Sequence, residues 1–160
     1  MILYRGSNVP VERPRIIESN RSLDYGKAFY VTSDYDQAAR WATLTTKRRR
    51  EGRAVVTLYH VDMVELQNLS VMQFEKADAE WLRFISRNRK GEEIGAGYDL
   101  IIGPVANDNT MPVINLYLKG AYDEEEAVKR LLPQKLKNQY AFKTGKSIEC
   151  LDFQEVVYVG

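Results

Sequence analysis

The chain has 160 residues, of which 44% are hydrophobic and 28% charged, and its formal net charge is +1 at pH 7. This composition favours one folded domain over residues 1–160 and excludes extensive disorder and a polycationic protein. No apolar run approaches the roughly 20 residues of a membrane helix, and the N-terminus does not resemble a signal peptide. We therefore expect a soluble cytoplasmic protein with no membrane partner.

Cysteine and histidine, which build many catalytic and metal sites, are scarce. The chain has one cysteine, Cys150, and one histidine, His60. An internal disulfide is excluded, and a zinc site of the usual Cys/His kind cannot be assembled, so we expect no metal site. His60 lies in the apolar segment 54–61, where a strand histidine paired with its neighbours is favoured over a catalytic one.

The first half of the chain predicts short strands around one long helix. Residues 1–7 and 27–32 are expected to be strands, separated by a loop. Ser33 is placed to cap a helix that ends near residue 50, with Asp36 at its third position. The β-branched segment 54–61 predicts another strand.

The second half mixes strands and helices without strict alternation. Strands are predicted over 69–74, 98–102, 139–142 and 153–159, with a helical turn at 145–151. Gly103 and Pro104 are expected to end the strand 98–102. Helices are expected after Asp78, at Pro112 and from the acidic run near residue 123. This arrangement predicts a mixed α+β domain rather than a doubly wound parallel sheet.

The most informative chemistry lies in two strand-like segments about 25 residues apart. The first ends in Arg5, Gly6 and Ser7, which offer a planar charged donor group and exposed backbone groups. The second carries Tyr25 and Tyr30, whose flat rings can stack on a ligand. Together they suit a ligand with anionic phosphates at one end and a planar ring at the other.

The segments 3–7, 23–32, 98–108 and 139–144 occur in an order that closely resembles the bacterial DUF3990 family, a domain of unknown function. That family resembles, through three short motifs, the ADP-ribosyltransferase superfamily of diphtheria-toxin-like and poly-ADP-ribose-polymerase-like enzymes. The resemblance implies a split, mixed and mostly antiparallel sheet with inserted helices. It also implies that NAD is the substrate.

The resemblance assigns Arg5, Tyr30 and Gln139 as catalytic residues. Arg5 stands where the family more often has histidine, and Gln139 where the superfamily usually has glutamate. The NAD-binding candidates are Arg5, Gly6, Ser7, Tyr25, Gly26, Tyr30, Asn107 and Asp108. We expect the Arg5 guanidinium and the Tyr30 ring to converge on one cleft.

The third motif position leaves alternatives open. Gln139 can bind a ribose hydroxyl but cannot supply negative charge, and losing such an electrostatic contact costs roughly 100-fold to 1,000-fold in rate. Glu155 on the last strand, or Asp108 on a loop able to close over the ligand, are the other candidates for the carboxylate.

The leading hypothesis is an NAD-dependent ADP-ribosyltransferase that modifies a protein or nucleic-acid acceptor. The resemblance further implies the toxin of a bacterial toxin–antitoxin pair, with a small antitoxin partner. A second hypothesis is a nucleic-acid-binding module that uses two basic groups. These groups are 47–50 with Arg53, and Arg83, Arg87, Arg89 and Lys90. A third hypothesis is a catalytically inactive domain for protein–protein recognition.

Overall fold

Seven strands and six helices make up the described part of the chain, residues 1–17 and 23–160 of a computed structural model. The strands are β1 (Ile2–Ser7), β2 (Phe29–Thr32), β3 (Val55–His60), β4 (Val71–Gln73), β5 (Leu100–Pro104), β6 (Asn138–Phe142) and β7 (Asp152–Tyr158). The helices are α1 (Tyr35–Arg49), α2 (Met63–Leu66), α3 (Ala79–Arg89), α4 (Met111–Leu118), α5 (Glu124–Leu131) and α6 (Gly145–Ile148).

The strands form one sheet in the order β4-β5-β6-β2-β1-β3-β7. Neighbours are antiparallel except β4 and β5, which are parallel. The prediction of an α+β fold with a mixed, mostly antiparallel sheet and inserted helices is therefore confirmed.

Two layers cover the sheet. The helix face carries Tyr4, Gly6 and Tyr30, and it packs against α1 and, through the cluster of Trp81 and Ile114, against α3 and α4. The opposite face carries a second cluster that includes Leu3, Phe29, Val31, Tyr59 and Phe142. Side chains alternate between these faces along each strand, so a residue's position in β1 or β2 fixes the layer that it enters.

The starts of three helices agree with prediction, whereas α2 was not predicted. The Asp78 side chain caps α3, Pro112 lies in the first turn of α4, and α5 starts at the acidic run near residue 123, as predicted. The cap of α1 is Asp34 and not Ser33, because the Asp34 carboxylate accepts the backbone N–H of Gln37 at 3.0 Å.

Several strand boundaries differ from prediction by one or two residues, and two of these differences have a visible structural basis. The second strand begins at Phe29, and Ala28 forms only an isolated bridge with Ile17. Strand β5 continues through Gly103 and Pro104 instead of ending before them. Proline is tolerated there because β4 extends only to the residue opposite Ile102, which leaves β6 as the one neighbouring strand at Pro104.

Within the described residues, none of the helices combines the length and the apolar character required to cross a membrane.

Candidate functional site at the junction of β1 and β2

The junction of β1 and β2 is the weakest seam in the centre of the sheet. The two strands pair only at Tyr4 and Thr32. By contrast, β1 pairs with β3 over six residue positions and β2 pairs with β6 over four. The sheet is thus continuous, but beyond Tyr4 the two strands lack the regular pairing that holds their other edges.

Arg5 occupies this junction. Its Nη1 donates a hydrogen bond to the backbone carbonyl of Tyr30 at 3.0 Å, and its guanidinium carbon lies 4.9 Å from the centroid of the Phe29 ring. Its Nε is buried and has no hydrogen-bond partner among the described residues. Burial lowers the pKa of Arg5, a shift that the nearby Tyr59 opposes and the positive charge of Arg49 reinforces. The side chain is a half-buried cation with one buried donor, Nε, that has no partner among the described residues.

Tyr30 enters the other layer. Its ring packs against the helix-face cluster. Its hydroxyl donates to the carbonyl of Gly26 at 2.5 Å and accepts the backbone N–H of Tyr25 at 3.1 Å. Burial is the main reason that the pKa of Tyr30 is raised. The Tyr30 hydroxyl is therefore engaged by the backbone of the turn at Tyr25 and Gly26.

The expected convergence of the Arg5 guanidinium and the Tyr30 ring is wrong. Arg5 lies over Phe29 on the opposite face, whereas the Tyr30 ring is on the helix face. The physical reason is the period of two along a strand, because Phe29 and Tyr30 are adjacent and must point to different faces. The two motifs meet only where Arg5 contacts the Tyr30 backbone.

Tyr25 is a core residue rather than an exposed stacking ring. It is fully buried, and its ring stacks on Phe74 with centroids 6.2 Å apart. Its hydroxyl accepts the indole N–H of Trp81 at 2.9 Å and donates to the carbonyl of Pro104 at 3.0 Å. Burial raises the pKa of Tyr25. The structure thus gives Tyr25 a packing role in place of the predicted contact with a nicotinamide ring.

Gly26 and its neighbours form a turn that the protein holds with its own side chains. Gly26 has φ of +77°, a left-handed conformation that favours glycine. The Lys143 ammonium donates to the carbonyls of Tyr25 and Lys27. Sequence reasoning missed Lys143, although it lies within the segment 139–144 that carried the resemblance. The geometry of this turn is explained by contacts within the protein, without a ligand.

Gly6 and Ser7 lie at the end of β1. A Cβ atom on Gly6 would come 1.9 Å from the carbonyl oxygen of Ala38, so the packing of α1 on β1 requires glycine there. Ser7 is buried, and its hydroxyl donates weakly to the Asn8 side chain at 3.4 Å. Gly6 is therefore a packing residue of the helix face, next in sequence to the unsatisfied Arg5.

Gln139 is buried on β6, opposite Thr32 of β2 and Gly103 of β5. A hydrogen bond with Gln139 opposes the burial-driven rise in the pKa of the Tyr25 hydroxyl, which places this amide beside that core group. Gln139 shares the helix face with Tyr30, two residues along the paired strand. The structure brings these two predicted residues together and leaves Arg5 on the opposite face.

The alternative carboxylates lie elsewhere. Glu155 is exposed on β7, four strands from β6 and hence about 19 Å away across the sheet. Asp108 is exposed on the loop after β5 and forms an ion pair with Arg40 of α1. Asn107 has a turn role, since its side-chain oxygen accepts the backbone N–H groups of Asn109 and Thr110 at 3.0 Å each. Neither carboxylate compensates for the neutral Gln139 in this arrangement.

Two shallow depressions lie away from the junction. One, between β4 and α3, is lined by Phe74 and Phe84 among others, and the other, between α2 and α6, includes Leu69 and Cys150. Neither includes Arg5 or Tyr30 in its lining. The candidate site is therefore defined by the residues of the β1–β2 junction, which neither depression reaches.

Comparison with known proteins gives one match. The family described as "Protein of unknown function (DUF3990)" matches residues 1–153. No curated protein and no solved structure matches the chain. Because the match covers nearly the whole sequence, the chain belongs to the DUF3990 family.

Proposed function

We propose that this protein is an NAD-dependent ADP-ribosyltransferase whose NAD site is the β1–β2 junction. The observation that carries the proposal is Arg5. Its guanidinium is held at the seam with a buried, unpartnered Nε, and no carboxylate of the described residues forms an ion pair with it. The order of the three motif positions along the chain supports the same assignment.

An anionic ligand would supply the counter-charge that Arg5 lacks among the described residues. A buried charge without a counter-charge is unfavourable, and such groups are normally paired. The flat guanidinium can donate two parallel hydrogen bonds to phosphate oxygens, which a lysine cannot do. The pyrophosphate of NAD is a ligand of this kind, and the free Nε is the donor that it would engage.

The seam also gives a route between the two motifs. Because β1 and β2 pair only at Tyr4 and Thr32, a ligand that contacts both Arg5 and the helix face passes between the strands beyond this pair. It displaces the single hydrogen bond from Arg5 to the Tyr30 carbonyl. Gln139 and Tyr30 then lie on the side where the nicotinamide-ribose end arrives.

In the proposed reaction the bond between ribose C1′ and the nicotinamide nitrogen breaks, and its electron pair leaves with nicotinamide. An acceptor nucleophile bonds to C1′ and loses its proton to water. Fixed dipoles near the developing positive sugar accelerate such a step. The neutral Gln139 supplies a dipole without a charge, so we propose slow turnover. Support for a small antitoxin partner comes from the family resemblance alone.

Binding of NAD to Arg5 is tested by calorimetry on the wild type, Arg5→Ala and Arg5→Lys. We expect Arg5→Ala to weaken NAD binding about 10-fold to 100-fold, because a charge-assisted hydrogen bond contributes about 1.5–3 kcal/mol. Arg5→Lys restores little of it, since the planar fork is lost. The matched control is Arg87→Ala, which removes an exposed arginine paired with Glu92. Absence of NAD binding by the wild type, or unchanged affinity in Arg5→Ala, would refute the site.

A second candidate is the inactive domain, and the buried Gln139 favours it specifically. Nicotinamide release from NAD separates the two candidates. If Gln139→Glu raises release about 100-fold over a measurable wild-type rate, the wild type is a slow enzyme. If the wild type binds NAD but neither protein releases nicotinamide, the chain is an NAD-binding module.

A further inference from the structure

A basic cluster at the end of α1 has no role in the site described above. It comprises the exposed residues Lys47, Arg48, Arg49, Arg50 and Arg53. No ion pair with a described carboxylate involves Lys47, Arg49, Arg50 or Arg53. The other basic group behaves differently, because Arg83, Arg87 and Arg89 each pair with a carboxylate. Among the described residues, Lys47, Arg49, Arg50 and Arg53 of the α1 basic cluster thus differ from those three arginines in having no carboxylate partner.

The helix dipole accounts for Lys47, Arg48 and Arg49 in the last turn of α1, but not for Arg50 and Arg53. Cations in a last helical turn do interact favourably with the helix dipole, but that effect is confined to the last turn. Arg50 follows the helix with φ of 56°, a left-handed conformation where glycine or asparagine is usual and other residues are disfavoured. Arg53 lies beyond the helix altogether. The chain keeps cations at positions where helix stability does not call for them.

The α1 basic cluster is attached to the end of β1. The backbone N–H of Arg53 donates to the carbonyl of Asn8 at 3.0 Å, and the Asn8 side chain donates to the carbonyl of Glu51 at 3.2 Å. Asn8 is three residues after Arg5. The positive charge of Arg49 also contributes to lowering the pKa of Arg5, after the larger effect of burial. The cluster is thus next to the proposed NAD site.

An exposed aromatic ring completes this surface. Tyr158 on β7 is 48% exposed, and the Arg53 guanidinium lies 4.4 Å from its ring centroid. Exposed aromatic rings beside unpaired cations are the features with which proteins bind single-stranded nucleic acids, through base stacking and phosphate contacts. An acidic protein surface would use the cations but has no need of a flat ring.

We propose that the α1 basic cluster and Tyr158 bind a single-stranded nucleic acid, the cluster through its phosphates and Tyr158 through a stacked base. This inference rests on the proposed function, and it makes a nucleic acid the acceptor of ADP-ribose. A strand held on the cluster lies beside the end of β1, next to the Arg5 end of the proposed NAD site.

The test is fluorescence anisotropy with fluorescein-labelled single-stranded DNA and RNA of about 20 nucleotides, which exceeds a typical single-domain site. The cluster variant is Lys47→Glu/Arg49→Glu/Arg50→Glu. We expect it to weaken binding at least 10-fold and to reduce the salt slope by about one per lost phosphate contact. Tyr158→Leu is expected to weaken binding about tenfold with an unchanged salt slope.

The matched control is Lys119→Glu/Lys129→Glu/Lys135→Glu, which makes the same charge change at exposed positions away from the cluster. Circular dichroism confirms that all variants are folded. The inference is overturned if the cluster variant binds the oligonucleotides with wild-type affinity. It is also overturned if labelled polyglutamate binds more tightly than either oligonucleotide, a result that indicates an acidic protein partner. Intact NAD binding without nucleic-acid binding overturns this inference alone. Nucleic-acid binding without NAD binding overturns the NAD site and the acceptor role of the nucleic acid, and it supports the binding surface alone.

Discussion

Two arginines of this fold, Arg89 and Arg5, have contrasting surroundings. Arg89 on α3 forms an ion pair with Asp24, whose side chain is 9% exposed, beside the turn around Gly26. Arg5 at the β1–β2 junction has one carbonyl partner and a buried Nε with none among the described residues. The polar groups of the turn are paired within the protein, whereas the buried Nε of Arg5 at the junction has no partner among the described residues. The turn therefore serves the fold, whereas the junction is the place where we propose that a ligand binds.

The turn side of this comparison is tested most severely by Tyr25→Ala. We expect a loss of about 3–5 kcal/mol in the free energy of unfolding, because a fully buried aromatic ring is removed. Urea denaturation followed by circular dichroism measures it. Tyr158→Ala is the matched control, and as an exposed tyrosine it should cost about 0.5 kcal/mol or less.

Tyr25→Phe then separates packing from ligand contact. It leaves the Trp81 indole N–H without its acceptor, so we expect a smaller loss of about 1–3 kcal/mol and unchanged NAD affinity. Wild-type stability combined with lost NAD binding would show instead that Tyr25 is a ligand residue and would break the comparison.

Gly6→Ala tests whether Gly6, a predicted NAD-binding residue, serves the packing of α1 on β1. We expect a loss of about 1–3 kcal/mol in the free energy of unfolding, because the new Cβ atom would press on the Ala38 carbonyl and force α1 away from β1. Thermal and urea unfolding measure it. The control is Gly145→Ala, where a Cβ atom meets nothing within 4 Å and the cost should be near zero. Equal stability of the two variants would contradict the close approach of α1.

At the junction, we expect a substitution that stabilises the fold instead of destabilising it. Arg5→Met should raise the free energy of unfolding by about 1 kcal/mol, because it replaces a half-buried cation, whose buried Nε has no partner among the described residues, with an apolar side chain of similar length. Urea denaturation without ligand measures it. Arg89→Met is the contrasting variant and should cost about 2 kcal/mol, since it leaves Asp24 without its counter-charge. If both variants destabilise equally, Arg5 is a structural residue.

The sequence was sufficient where local chemistry decides the structure. The cap at Asp78 was predicted because a carboxylate and the N–H group that it accepts lie within three residues. The same rule selected Ser33 instead of Asp34, since the two adjacent residues are both good caps. The start of α5 was predicted because the acidic run near residue 123 complements the helix dipole, and the Asp123 side chain also caps it. The α+β class followed from strand and helix patterns, and the family resemblance anticipated the match to DUF3990.

The rest depended on contacts that local patterns do not contain. Tyr25 was predicted as a stacking ring, but its partner Trp81 is 56 residues away in sequence and only the fold makes it a core residue. The extension of β5 through Pro104 depends on how far the neighbouring β4 runs. Arg5 was identified from its motif, but that it has no ion-pair partner among the described residues is a property of the assembled sheet.

The pairing of β2 with β6 has a consequence for how the chain reaches its folded form. It joins Thr32 to Gln139, more than a hundred positions apart, and the central sheet cannot close until this long loop does. Such non-local pairing is associated with folding in milliseconds to seconds rather than microseconds. During synthesis, the N-terminal strands must therefore wait, with apolar edges uncovered, for a strand made near the end of the chain.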